Sequence, residues 1–102
     1  MSYSVTVDVH VLDICTTRAR QVIVAMFKDQ AEYHGFTSCQ VSRWRKSGHT
    51  AKYVSGAWKC LTVTAVVDGN HAKDQPDAYT SVFDAVDEAV KVVGYSAYHM
   101  KF

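Results

Sequence analysis

The chain has 102 residues, of which 48% are hydrophobic and 21% charged, enough apolar material for one core and too little length for two. One proline, five glycines and no low-complexity run argue against disorder, and a formal net charge of +1 argues against an electrostatic role for the molecule as a whole. Three cysteines without a C-x-x-C pair suggest neither a disulfide framework nor a zinc knuckle and point to a reducing cytoplasm.

The first element begins at once. Tyr3, Val5, Val7, Val9 and Val11 alternate with Ser4, Thr6, Asp8 and His10, the pattern of a half-buried strand. No basic n-region, apolar h-region or long apolar run precedes or follows it, so neither secretion nor membrane spanning is expected. A helix over residues 16–34 follows, with Asp13 or Thr16 as N-cap and Ala19, Val22, Ile23, Met26 and Phe27 on one face. Gly35 is placed to end it in the left-handed conformation, with Phe36 closing back on the last turn.

Two strands are predicted next, over residues 37–45 and 57–67, joined through a segment containing Gly48 and Gly56. In the second, Leu61, Val63, Ala65 and Val67 alternate with Cys60, Thr62, Thr64 and Val66, which suits a central position in the sheet. Pro76 fits the start of a second helix capped by Asp74 or Gln75. Tyr79, Val82, Phe83, Val86, Ala89, Val90 and Val93 mark its stripe, Gly94 stops it, and residues 95–102 supply a last strand.

The order β-α-β-β-α-β predicts a single α+β domain over residues 1–102, a ferredoxin-like sandwich in which both helices cover one face of a four-stranded antiparallel sheet of order 4-1-3-2. Its core is expected to contain Val7, Val9, Ile23, Phe27, Leu61, Val63, Phe83, Val86 and Val90. The other face is left open to solvent, to a second copy or to a ligand, and carries Thr6, Asp8, His10, Trp58, Cys60, Thr62 and Thr64. Asp8, His10 and His99 are its candidate acid-base cluster, since antiparallel pairing of the first and last strands would bring Asp8 or Thr6 near His99 across the ladder. No third metal ligand stands at diagnostic spacing, and no cofactor signature is present. Cys15, near the start of the first helix, is the only candidate nucleophile, and a packed small residue is the competing role.

Charge is segregated along the chain. Residues 33–67 hold no acid but contain Arg43, Arg45, Lys46, Lys52 and Lys59, whereas residues 68–90 hold Asp68, Asp74, Asp77, Asp84, Asp87 and Glu88 against Lys73 alone. In the first stretch the cations interleave with Trp44, Tyr53 and Trp58. Cations attract phosphate or acidic surfaces and exposed rings anchor interfaces, so Arg43, Trp44, Arg45, Lys46, Lys52, Tyr53, Trp58 and Lys59 form the candidate partner-binding hairpin. The competing arrangement packs Trp44 and Trp58 across the hairpin and leaves the cations as a solvated edge that discourages aggregation.

The element order resembles that of several ferredoxin-like families. Gly56-Ala57-Trp58-Lys59-Cys60-Leu61-Thr62-Val63 does not supply the basic-glycine-aromatic signature of an RNA-recognition motif, and Leu12-Asp13-Ile14-Cys15 lacks the arginine and glycines of an acylphosphatase loop. Trimeric regulators of the PII type and the small phage enzymes that degrade S-adenosylmethionine share with this chain a long loop between the second and third strands. The expectation is a non-enzymatic binding or regulatory module, of the kind small phage and mobile-element accessory or inhibitor proteins are, whose macromolecular partner presents an acidic surface. A protein is favoured over nucleic acid as that partner because the net charge is near zero. The second reading is a homo-oligomer with a small-molecule or catalytic site between subunits, as the layout shared with the PII-type regulators and phage enzymes implies.

Overall fold

The computed structural model describes residues 1–12, 16–49, 56–95 and 97–101. Its elements are β1 (Ser2–Leu12), α1 (Thr17–His34), β2 (Phe36–Val41), β3 (Arg45–Lys46), β4 (Trp58–Asp68), α2 (Gln75–Val93) and β5 (Ala97–Lys101). It is an α+β arrangement of two helices and a five-stranded antiparallel sheet of order β2-β4-β1-β5, with β3 also on β4. β1 and β4 form the central ladder, from Ser2 opposite Asp68 to Leu12 opposite Trp58. Val5, Val7 and Val9 thereby face Ala65, Val63 and Leu61 as direct partners and share one side of the sheet. Ala19, Ile23 and Phe27 of α1 and Val82, Val86 and Val90 of α2 join them in one buried cluster, so both helices cover that side.

Each helix is defined at both ends by its own sequence. Thr16 caps α1, its Oγ1 accepting from Ala19 N at 3.0 Å, and Asp74 caps α2, its Oδ1 accepting from Asp77 N at 2.9 Å. Asp13, the other expected cap of α1, lies outside the described residues. Gly35 and Gly94 sit in the left-handed region at φ 72° and 78° and close the last turns with their backbone N–H groups. Three alanines, Ala78, Ala85 and Ala89, are fully buried on α2 and allow close approach to its neighbours. Among the described residues no helix is long and apolar enough to cross a membrane.

Three expectations need correction. The sheet has five strands, because the strand expected over residues 37–45 is interrupted: β2 ends at Val41 and β3 resumes at Arg45. The interruption has a tertiary cause. Ser42 still bonds to β4, its N–H reaching Thr62 O at 2.9 Å and its Oγ accepting from Thr62 N at 2.8 Å. The chain then leaves the ladder and carries Trp44 toward α1, where Nε1 donates to Thr16 O at 3.0 Å. Arg20 of α1 takes up the carbonyls at the break, Nη2 to Val41 O at 2.8 Å and Nε to Ser42 O at 2.9 Å. The second correction is Phe83, expected in the core but 37% exposed, because Val82, Ala85, Val86, Ala89 and Val90 occupy the inward face of α2 and leave Phe83 on its flank. The third is register: β5 places His99 opposite His10 and Lys101 opposite Asp8, which makes Asp8 a diagonal neighbour of His99 and leaves Thr6 farther along β1.

Candidate functional site

On the uncovered side of the sheet, three imidazoles gather from three parts of the chain. His10 of β1 and His99 of β5 are direct cross-strand partners, and His49, from the segment after β3, stacks on both. Ring centroids are 4.7 Å apart for His49 and His99, 5.3 Å for His10 and His49, and 6.2 Å for His10 and His99. The planes of His49 and His99 lie within 8° of parallel. Ser47 ties the group together, since its Oγ lies 2.6 Å from His10 Nδ1 and accepts from His49 N at 3.0 Å.

The carboxylate of the expected cluster is engaged by other groups. Asp8 Oδ1 accepts from Thr62 Oγ1 at 2.7 Å and pairs with Arg45 at 3.3 Å, which commits the carboxylate to β4 and β3. Imidazoles stacked face to face also do not converge their nitrogens, and among the described residues no group of three or more His, Cys, Asp or Glu is arranged to hold a metal ion. Burial pushes the thiols of Cys39 and Cys60 upward, which keeps both protonated and poorly nucleophilic. Cys15 lies outside the described residues.

Burial holds the His10 imidazole below its ordinary value of 6.5; His49, His99 and Arg45 push it the same way, and Asp8 alone opposes them. His34, stacked on Phe36 at 5.4 Å, is also lowered by burial, against a rise from Asp84. Both groups favour the neutral form in the fold, so the unfolded chain takes up protons first. Their contribution is present above pH 6.5 and is lost as pH falls through the folded values. Thermal melts between about pH 7.5 and 5.5 are expected to show a falling Tm, flattened in a His10→Gln, His34→Gln double variant. A Tm that rises over that interval would contradict the assignment.

The basic hairpin residues lie along the edge that β3 forms on β4. Arg43, Arg45 and Lys46 are exposed, Lys59 is half-buried, and Lys46 and Lys59 are direct partners in the β3–β4 register. Their aromatic neighbours are less available. Trp58 is only 6% exposed and receives His49 edge-on at 4.6 Å, while Trp44 is half-buried against Tyr95. Lys52 and Tyr53 lie outside the described residues. Between residues 46–49 and 56–59 opens a cleft of about 360 Å³, and a second hollow of about 400 Å³ is lined by Thr17, Arg20, Arg43 and Trp44.

The structure brings His10 and His99 together as a pair, adds His49 and Ser47, and holds the neighbouring Asp8 carboxylate on Arg45 and Thr62. Sequence reasoning missed His49 because two long-range pairings bring it to the other histidines, β1–β5, which sets His10 opposite His99, and β3–β4, which carries the segment holding His49; no local periodicity marks it. No protein-family model matches this chain, and no curated protein is similar to it.

Proposed function

We propose that the protein is a non-enzymatic binding module of ferredoxin-like architecture, acting in the cytoplasm, that engages an acidic surface of a protein partner through β3 and the adjoining start of β4. The observation that carries this reading is a charge imbalance. Four cations, Arg43, Arg45, Lys46 and Lys59, lie on or beside the β3–β4 pairing, and of these four only Arg45 has an ion pair among the described residues, with Asp8. That pair is itself solvent-exposed, at 46% and 40% for the two side chains, and contributes little to stability. Unpaired cations on a short edge strand are well suited to steer an oppositely charged surface, and Trp44 offers apolar area beside them.

Capture of partners from a lysate of the source cells tests the proposal. The Arg43→Glu, Arg45→Glu, Lys46→Glu variant is expected to lose the captured partner while keeping its fold, because substitutions at exposed sites usually change stability by only about 0.5 kcal/mol. Retained capture would contradict the proposal and shift attention to the open sheet face around Asp8, His10 and His99.

A further inference from the structure

We infer that the acidic partner of the β3 edge is a second copy of this chain, docked head to tail so that the basic end of one copy meets the acidic end of the next. The inference rests on that edge being a contact surface for an acidic protein, and it names the protein.

The first ground is where the fold puts its charges. β1 and β4 are 11 residues each and pair along their whole length. A strand of that length spans about 36 Å, so of the molecule's extents of 42, 26 and 19 Å only the longest can hold it. The two ends of the ladder are therefore the two ends of the molecule. At one end Leu12 pairs with Trp58, Arg45 and Lys46 lie opposite Cys60 and Lys59, and the bond from Trp44 to Thr16 brings in the start of α1 with Arg18 and Arg20. Arg45 and Lys46 project to opposite faces of the sheet, so the charge belongs to the end of the molecule and not to either face. The carboxylates on this half, Asp8, Asp87 and Glu88, lie beside Arg45 and Lys91.

At the other end Ser2 pairs with Asp68, whose N–H bonds to Gly35 O at the close of α1. Tyr3 Oη donates to Lys73 O and Gln75 Nε2 to Ser4 O, which holds the start of α2 there. This end collects Asp29, Glu32, Asp68, Asp74 and Asp77, with Asp84 close enough to raise the His34 imidazole. Its side-chain cations among the described residues are Lys28 and Lys73, and neither Asp29, Glu32 nor Asp84 has an ion pair there. Asp13 and Lys52 lie outside the described residues.

The second ground is that α1 carries its charges against its own dipole. Arg18 and no acid stand in its first turn, and Glu32 stands in its last, whereas α2 has Asp77 at its start and Lys91 at its end. The arrangement on α1 is unfavourable within one copy. A neighbour that brings carboxylates to the start of α1 and cations to its close offsets it.

The third ground is apolar area beside the charges at both ends. Trp44 is half-buried next to Arg43, and Tyr33 is 79% exposed next to Glu32. Tyrosine and arginine are common interface anchors, and a guanidinium packs on an aromatic ring. An end of 26 by 19 Å offers about 500 Å² a side, the low end of specific interfaces, so the contact is weak and salt-sensitive. It is also heterologous: each copy keeps a free end, and assembly grows past two unless a ring closes.

Sedimentation equilibrium from about 10 to 500 µM protein in about 50 mM salt tests the inference. The wild-type mass is expected to rise with concentration above the 11.4 kDa of one copy and to return to it in about 500 mM salt. Two variants neutralise one end each: Arg43→Gln, Arg45→Gln, Lys46→Gln and Asp29→Asn, Glu32→Gln, Asp84→Asn. Each is expected to keep its Tm and to weaken self-association at least about fivefold. Mixed in equal amounts they are expected to form a one-to-one complex that grows no further, because one intact basic end and one intact acidic end remain between them. A wild type that stays monomeric, association indifferent to salt, or a mixture without the complex would overturn the inference. Charge-dependent capture of a different protein by a monomeric wild type would leave the β3 edge a contact surface and remove only the self-association.

Discussion

Replacing Phe27 with alanine is expected to lower the unfolding free energy by about 3 to 5 kcal/mol, measured by urea denaturation. Phe27 is fully buried between α1 and the sheet, and its ring meets that of Phe36 at 5.3 Å with the planes tilted by 35°. Truncation leaves a cavity walled by strands and both helices, which the central ladder does not allow to collapse. Phe83 provides the contrast. At 37% exposed on the flank of α2, its truncation is expected to cost less than about 1 kcal/mol. Since domains of this size are stable by only about 5–15 kcal/mol, the two variants should separate clearly in a single titration series. Equal losses would show that the inward face of α2 has been assigned wrongly.

The two glycines that end the helices are expected to respond differently to alanine, although they share a conformation. At Gly94 (φ 78°), no atom lies within 4 Å of the position a Cβ would take, so Gly94→Ala should cost only the left-handed backbone penalty, about 1 to 2 kcal/mol. At Gly35 (φ 72°) an added Cβ would run into the imidazole and Cβ of His71. The backbone there has little room to yield. Gly35 N–H bonds to Glu32 O, and its carbonyl accepts from Asp68 N at 2.8 Å, joining the end of α1 to the end of β4. Gly35→Ala is therefore expected to cost at least about 1 kcal/mol more than Gly94→Ala, read as the difference in urea midpoint at constant m-value. Indistinguishable midpoints would mean that His71 moves aside freely.

What the sequence made legible follows from the range of the interactions involved. The spacing of Ala19, Ile23 and Phe27, the glycine stops and the alternation of Leu61 to Val67 are local signals, and they located both helices and the central strands to within a residue or two. The break at residues 42–44 was not legible, because its cause lies in contacts of Trp44 with Thr16 and of Arg20 with Val41 and Ser42. Phe83 was misplaced because the apolar stripe of α2 is wider than the face it buries, and sequence period does not say which edge of a stripe stays outside. The register of β5 was also beyond local reasoning, since no tight turn links it to β1. That register pairs His10 with His99 and builds the imidazole stack, whose third member, His49, lies 39 residues from His10 along the chain and 50 from His99.

The central claim is that the Arg43, Arg45 and Lys46 edge contacts an acidic protein, and the affinity of the captured partner for two forms of this protein measures it most directly. Titration calorimetry of the wild type and of the Arg43→Glu, Arg45→Glu, Lys46→Glu variant, both checked for an unchanged Tm, is expected to show at least about a tenfold loss of affinity on charge reversal. Added salt should narrow the gap between the two by screening exposed charges. The same Kd for both proteins, with affinity lost instead in an Asp8→Asn, His10→Gln variant, would contradict the account and place the contact on the open sheet face.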